Sequence, residues 1–285
     1  MARAPAKINL FLHVGDKRAD GYHALQSLVA FTRAGDELAF AESDGLSLTI
    51  DGPFGAGLSA GDDNLIVKAA RTLGGAKTAS ITLTKNLPVA SGIGGGSADS
   101  AATLRGLNTL WGLRLDTADL QKIGATLGSD VPVCITCRPQ WMEGRGEVVT
   151  ALPPLPELPI VLVNPGVGVS TGKVFATMGA RHGVTLPLPP EFADAADLIA
   201  YLGTTANDME APARAIAPVI GDVLDFIAGQ GALLARMSGS GATCFGLCES
   251  DTAATRAADA IRTAHPEWWA VATTLGPVSD VVIPG

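Results

Sequence analysis

Basic residues are few in this chain and nowhere gathered. Twenty Lys and Arg face 28 Asp and Glu, a formal net charge of -8, and no run of clustered Lys or Arg could neutralise a nucleic-acid backbone. A nucleic-acid partner is therefore not expected, although a few glycine amides and one or two lysines can still hold a small anion inside an acidic protein. Long apolar runs are also missing. No window approaches the roughly eighteen consecutive apolar residues of a membrane span. The N-terminal stretch 8–14 alternates with polar residues, and no small-residue cleavage site follows it. A cytoplasmic protein with no membrane partner is the expectation. The four cysteines lack the histidines and turn glycines of a zinc knuckle. Cys134-x-x-Cys137 and Cys244-x-x-x-Cys248 fall in VPVCITC and ATCFGLC, both of which read as strands. Ordinary buried thiols are expected there, ahead of metal ligands or a redox pair.

What is present is enough apolar material for a substantial core. The chain has 285 residues, 47% hydrophobic and 17% charged, a size that favours two domains over one. Ile8, Leu10, Leu12 and Val14 alternate with Lys7, Asn9, Phe11 and His13, so a strand would carry Lys7 and Asn9 on one face. DELAF, LSLTI and SITLT read as further strands. A helix is expected after Asp62 or Asp63, with Ile66, Ala69, Ala70 and Leu73 on one side and a stop at Gly74-Gly75. A second would run from near Ser97 to about Trp111, and a third from Asp116 or Thr117 to Gly128. Asp130 follows, ahead of a predicted strand. LPPLPELP, residues 152–159, reads as a stiff linker or exposed connection, which sets the expected boundary: domains 1–152 and 153–285. Without regular strand-helix alternation, both halves read as α+β.

Between strand and second helix lies PVASGIGGGSADSAA, residues 88–102. It misses the dinucleotide fingerprint, since Ser97 stands where the third glycine belongs, and it misses the P-loop for want of a lysine. The physics of an anion cradle still applies: glycines let backbone amides approach, and a helix N-terminus adds partial positive charge. Ser97 could cap that helix or bind phosphate, and Asp99 could suit the dipole or help position a divalent cation. On these residues alone the loop is either a phosphate cradle or a structural turn.

The stretch resembles the phosphate loop of the GHMP kinase superfamily, P-x-x-x-G-[LI]-[GS]-[GS]-[GS]-S. PAKINLFLHVGDKRADGYHALQS, DDNLIVKAAR, LGSDVPV, MEGRGE and SGSGATCF extend the resemblance in family order over nearly the whole chain. Ala90 and Ser91 depart from glycines common in the family, and Ala98 from a second serine. The resemblance implies a two-domain GHMP kinase fold, with a ribosomal protein S5 domain 2-like N-terminal domain and a ferredoxin-like C-terminal one. It also implies ATP and Mg²⁺ as cofactors, with the Mg²⁺ ligands unassigned.

Residue roles follow from the same resemblance. Asp130 would be the catalytic base in G-[AS]-D-V-P, although a turn aspartate is the ordinary reading. Lys7, from P-A-K-[IL]-N, would hold Asp130 ionised and stabilise the developing alkoxide, where a strand lysine is usually a solvated edge residue. Gly92, Gly94, Gly95, Gly96 and Ser97 would take the ATP phosphates, with Pro88 also in the ATP site and Asn64 and Leu65 by the adenine. Asn9 would orient substrate. Tyr22 and His23 of RADGYH would meet a cytidine, with Phe175 closing the ring's other side. Thr171, Ser238, Gly239 and Gly241 complete the substrate contacts. The implied reaction is phosphorylation of the 2-hydroxyl of a small cytidine diphosphate-linked methylerythritol. A kinase of another small alcohol, such as homoserine or mevalonate, and a non-catalytic nucleotide binder are the alternatives.

Overall fold

The computed structural model describes residues 1–17, 21, 23–179, 186–276 and 278. The first half runs β1 (Ala2–Lys17), β2 (His23–Ala41), β3 (Ser47–Asp51), α1 (Leu65–Gly74), β4 (Ser80–Thr84), α2 (Gly95–Leu110), α3 (Thr117–Leu127), α4 (Val131–Thr136), β5 (Gln140–Gly144) and β6 (Val148–Ala151). The second half continues with β7 (Leu158–Asn164), α5 (Thr171–Thr177), α6 (Ala195–Gly203), α7 (Glu210–Ile216), α8 (Val219–Gly229), β8 (Leu234–Met237), β9 (Cys244–Leu247), α9 (Asp251–Ala264) and β10 (Trp269–Leu275).

Strand β2 is the spine of the first sheet. β1 runs antiparallel beside it, β5 pairs with its first part and β4 with its last, and β3 adds to β4 in parallel. The second sheet has the order β10-β7-β9-β8, all antiparallel. Its last strand thus lies beside its first, the ferredoxin-like arrangement. One register pair, Leu275 opposite Thr32, joins the sheets.

The alternation read along β1 holds only for its first part. Register shifts between Asn9 and Phe11, and such an irregularity reverses which face each later residue takes. Phe11 therefore joins Ile8 and Leu10 in one apolar cluster, while Leu12 and Val14 join a different one built mostly from the second half of the chain. Lys7 and Asn9, both ahead of the shift, face the same cavity, and beyond it Leu12 does so in place of Phe11.

Three helix boundaries differ from expectation for local reasons. Asn64, not Asp62 or Asp63, caps α1 by accepting from the Ile66 amide. α2 opens at Gly95, ahead of Ser97, because Gly94 takes the cap position at φ 65°, a conformation glycine adopts without strain. Ser97 consequently lies inside the first turn and caps nothing. VPVCITC forms the helix α4 and not a strand: Pro132 sits in its first turn, where a missing amide costs nothing, so Val131 is helical as well.

α2 is sheathed on all sides. Ala98 through Leu107 are buried, and the helix touches β1, β2, α1, α3 and α4. Its small residues permit that closeness; a β-carbon on Gly106 would come within 2.2 Å of the Phe40 ring. Gly106→Ala is expected to lower unfolding stability by about 1–3 kcal/mol, read from the urea midpoint.

Residues 152–157 carry no regular element, but Leu155 and Leu158 are buried in a cluster shared by both halves, so the proline-rich stretch is pinned and not simply exposed. A division at residues 152/153 is proposed on the sheet topology.

Candidate active site

A cavity of about 1120 Å³ is lined from both halves of the chain: by Lys7 and Asn9 of β1, the glycine loop, Asp130, the β5–β6 turn, α5, and the turn after β8. At its floor Lys7 Nζ donates to Asp130 Oδ2 at 2.7 Å. The lysine is buried while the Asp130 side chain remains about a third exposed, at 34%, so the carboxylate is the member that meets incoming solutes. Two features of the sequence aim it. Gly128 ends α3 and Pro132 sits in the first turn of α4, leaving Asp130 at the helix entrance with a side chain that makes no capping bond. Lys7 is fixed in turn through its backbone amide, which donates to the Ile93 carbonyl at 2.9 Å, tying β1 to the glycine loop.

The loop has the geometry of an anion cradle. Gly92 and Gly94 have φ of 78° and 65°. The amides of Gly95, Gly96 and Ser97 open a 16-residue helix, where they have no intrahelical acceptor. Gly92, Gly94, Gly95, Gly96 and Ser97 all line the cavity. Ala90 takes φ 52°, the left-handed conformation that its glycine counterparts adopt freely.

The turn after β8 packs directly on this loop. Ser238 Oγ accepts from the Asn9 amide at 3.1 Å and donates to the Gly92 carbonyl at 3.3 Å, and the Thr243 amide donates to the Ser91 carbonyl at 3.0 Å. Ser238 is wholly buried and absent from the cavity lining, so it acts as a clamp between strands; Gly239 and Gly241 do line the cavity. Asn9 donates its side-chain Nδ2 to Ser27 Oγ at 2.8 Å. Ser238→Ala is expected to lower stability by about 1–2 kcal/mol, read from the urea midpoint, since it unpairs the buried backbone amide of Asn9.

At the other end, His23 and Phe175 lie face to face, with centroids 5.3 Å apart and planes 13° from parallel. His23 Nδ1 is 3.0 Å from the Gly15 carbonyl. A carbonyl only accepts, so Nδ1 carries a proton, and His23 is part of the cavity lining. Tyr22 lies outside the described residues. Thr171 Oγ1 is 2.7 Å from Ser240 Oγ, closing α5 against the second glycine turn.

A smaller cavity of about 260 Å³ adjoins the loop, walled by Leu58, Asn64, Leu65, Pro88, Gly95 and Gly96 among others. Leu65, Ala90, Gly95 and Gly96 belong to both cavities. Asn64 is a wall and not a free ligand: Oδ1 caps α1 at 2.8 Å and Nδ2 donates to the Ser59 carbonyl at 2.7 Å. Asp99 is not a free ligand for a cation either, because its Oδ2 accepts from Lys85 at 2.6 Å. Among the described residues no group of three or more His, Cys, Asp or Glu could hold a metal. All four cysteines are buried and free. Burial pushes the Cys134 and Cys244 thiols far up, which leaves them inert.

Several cavity residues escaped sequence reasoning. Ser240 was skipped between named glycines, and Arg145 and Glu147 lay in MEGRGE without an assigned role. Lys85 and Asp36 carried no signal, since only the fold brings β4, β2 and α2 together at one point.

Comparison with known proteins agrees with this geometry. Residues 64–138 match the GHMP kinases N terminal domain and 187–267 the GHMP kinases C terminal domain. A 4-diphosphocytidyl-2-C-methyl-D-erythritol kinase of Ruegeria pomeroyi is 51% identical over 94% of this chain and 96% of its own. A crystal structure of 4-(cytidine 5'-diphospho)-2C-methyl-D-erythritol kinase superposes with a TM-score of 0.78 at 32% identity, covering 97% of this chain and 99% of that one. The homoserine kinase of Cytophaga hutchinsonii, at 21% identity and a TM-score of 0.64 over 95% of each chain, shares the fold. Likeness along the full chain, in sequence and in fold, makes this protein a small-molecule kinase that belongs to the 4-diphosphocytidyl-2-C-methyl-D-erythritol kinase family of the GHMP kinases.

Proposed function

We infer that this kinase transfers the γ-phosphoryl group of ATP to the 2-hydroxyl of 4-diphosphocytidyl-2-C-methyl-D-erythritol, a step of the non-mevalonate route to isoprenoid precursors. The observation that carries the residue assignment is the 2.7 Å contact of Lys7 and Asp130 on the floor of a cavity whose wall is the glycine loop. Phosphoryl transfer needs positioning, charge stabilisation and a proton acceptor. Asp130 takes the hydroxyl proton, the freed oxygen attacks the γ-phosphorus, and ADP departs. Lys7 stabilises the charge growing on that oxygen. Gly92, Gly94, Gly95, Gly96 and Ser97 offer the ATP phosphates their amides. Asn64, Leu65 and Pro88 wall the adenine side.

Mg²⁺ is the usual companion of ATP, but the described residues provide no acidic cage for it. The ion would ride on the nucleotide's own phosphate oxygens. No step above depends on it. A cytoplasmic location belongs to the same reading and accords with four free thiols; no helix among the described residues is long and apolar enough to cross a membrane.

Specificity for cytidine is supported by the contact of His23 Nδ1 with the Gly15 carbonyl, which leaves Nε2 an acceptor in the neutral ring. An acceptor at Nε2 suits the exocyclic amine of cytosine and opposes the carbonyl that uracil has in its place. Phe175 gives the base an aromatic face, and Thr171, Asn9, Gly239 and Gly241 surround the remainder. The test is a comparison of cytidine- and uridine-linked acceptors by kcat/KM. We expect about a tenfold or greater preference for cytidine; equal values would overturn the base contact.

A further inference from the structure

A buried charge cluster sits behind the phosphate loop, outside every role assigned above. Lys85, just past β4, donates to Asp36 Oδ2 on β2 at 2.5 Å and to Asp99 Oδ2 on α2 at 2.6 Å. Their exposures are 3% for Lys85, 0% for Asp36 and 4% for Asp99. Asp36 is well satisfied, because its Oδ1 also accepts from the Asn86 and Leu87 amides at 2.6 and 2.8 Å. Asp99 is not. Its Oδ1 is buried with no hydrogen-bond partner among the described residues, and the residue stands in the wall of the smaller cavity.

Two carboxylates around one ammonium leave a surplus buried negative charge unless one of them holds a proton. An unpartnered oxygen is costly as a carboxylate and much less so as part of a neutral acid. Burial pushes the Asp99 carboxyl up to about 8, with Lys85 opposing the rise and Asp36 adding to it. Burial would lower Lys85, and the charges of Asp99 and Asp36 more than offset that.

The cluster's position gives its charge a consequence. A β-carbon on Gly95 would lie 3.2 Å from Lys85 Nζ and 3.8 Å from Asp36 Oδ2, so the triad is directly behind the first amide of α2. The charged groups acting on Asp99 are Lys85 and Asp36. Asp63, ahead of α1, shares the cavity wall, and Lys7 of β1 lies across Gly94. α1 turns the apolar Ile66, Ala69 and Ala70 inward, α3 turns Leu120, and α4 turns Val131, Val133 and the un-ionised Cys134.

We propose that Asp99 is a positioning residue for the nucleotide: it holds a proton when nucleotide is bound, which keeps the triad neutral behind the loop, and its ionisation weakens nucleotide binding. The proposal rests on the reading of the loop as a phosphate cradle. Binding at a pH where Asp99 is partly ionised then takes up a fraction of a proton from solvent.

Calorimetric titration with ADP tests this. Between about pH 7.5 and pH 9.5 the wild-type dissociation constant should rise about tenfold, the effect of one charge at roughly 10 Å in a protein interior. Asp99→Asn, which is always neutral, should stay within about twofold over the same range. Identical profiles for the two proteins would overturn the proposal. Wild-type titrations at about pH 8.5 in two buffers of different ionisation heat need no variant; uptake of about half a proton, the most that a tenfold change in affinity allows, supports the linkage and no uptake overturns it. Carboxyl-carbon spectra of the nucleotide-free protein separate the two readings. A midpoint for Asp99 above about pH 7 supports the proton on Asp99, and one in the ordinary range near 4 overturns it, whether or not ADP binds. Failure of ADP to bind at any pH would overturn the phosphate-cradle reading and the linkage with it.

Discussion

Replacing Asp130 with Asn is expected to lower turnover by about 10²- to 10⁴-fold, the usual worth of a positioned proton acceptor, while ADP affinity changes less than about threefold. The asymmetry follows from where the two functions sit. The amide keeps the size of the carboxylate and still offers Lys7 Nζ an oxygen in place of the Oδ2 that now accepts at 2.7 Å. Lys7 therefore keeps a partner in its buried position, and the fold loses little. What the amide lacks is basicity. The loop amides of Gly95, Gly96 and Ser97 belong to α2 and depend on Gly94 for their direction, not on Asp130. Coupled ADP release and calorimetry on the same preparations check both halves; turnover within about threefold of wild type would remove Asp130 from the chemistry.

Gly92→Ala should damage stability and nucleotide binding together. Gly92 has φ 78°, where an alanine costs about 1–2 kcal/mol. The added β-carbon would also lie 2.6 Å from the Gly241 carbonyl oxygen, 2.8 Å from that of Ser238 and 2.9 Å from the Gly241 amide nitrogen. All three are backbone atoms of a turn held by Ser238 and Thr243, so neither side can yield by a rotamer change. The loop and the turn must part. A total cost of about 3 kcal/mol corresponds to roughly 5–10 °C in Tm for a chain of this size, and the parted loop should raise the KM for ATP by about tenfold or more. Gly96→Ala is the control, since its β-carbon would meet nothing closer than Leu65 Cδ1 at 3.5 Å. Equal melting temperatures for Gly92→Ala and wild type would show that the two turns do not brace each other.

How much of this was legible in the sequence depends on the range of the interactions. Local periodicity located α1, α3 and the first strands because apolar spacing and caps are short-range signals. The glycine loop could be seen, but whether it was a cradle or a turn could not be read from its own residues; the cradle reading came from the family resemblance. VPVCITC misled because β-branched residues favour strands, while Pro132 in a first turn and the packing of Val131 and Val133 against α2 and α3 favour a helix. The register shift in β1 was invisible, since it answers to strand pairing with β2 and not to the alternation itself. Lys7 and Asp130 are 123 residues apart, and Asp36, Lys85 and Asp99 come from three elements. Contacts of that kind leave no trace in spacing.

The most direct test of the central claim is ADP release by the purified protein with ATP, Mg²⁺ and 4-diphosphocytidyl-2-C-methyl-D-erythritol, with homoserine and mevalonate as parallel acceptors. The account predicts turnover with the cytidylated alcohol alone. Silence with that substrate, or faster turnover of an uncytidylated alcohol, would contradict it.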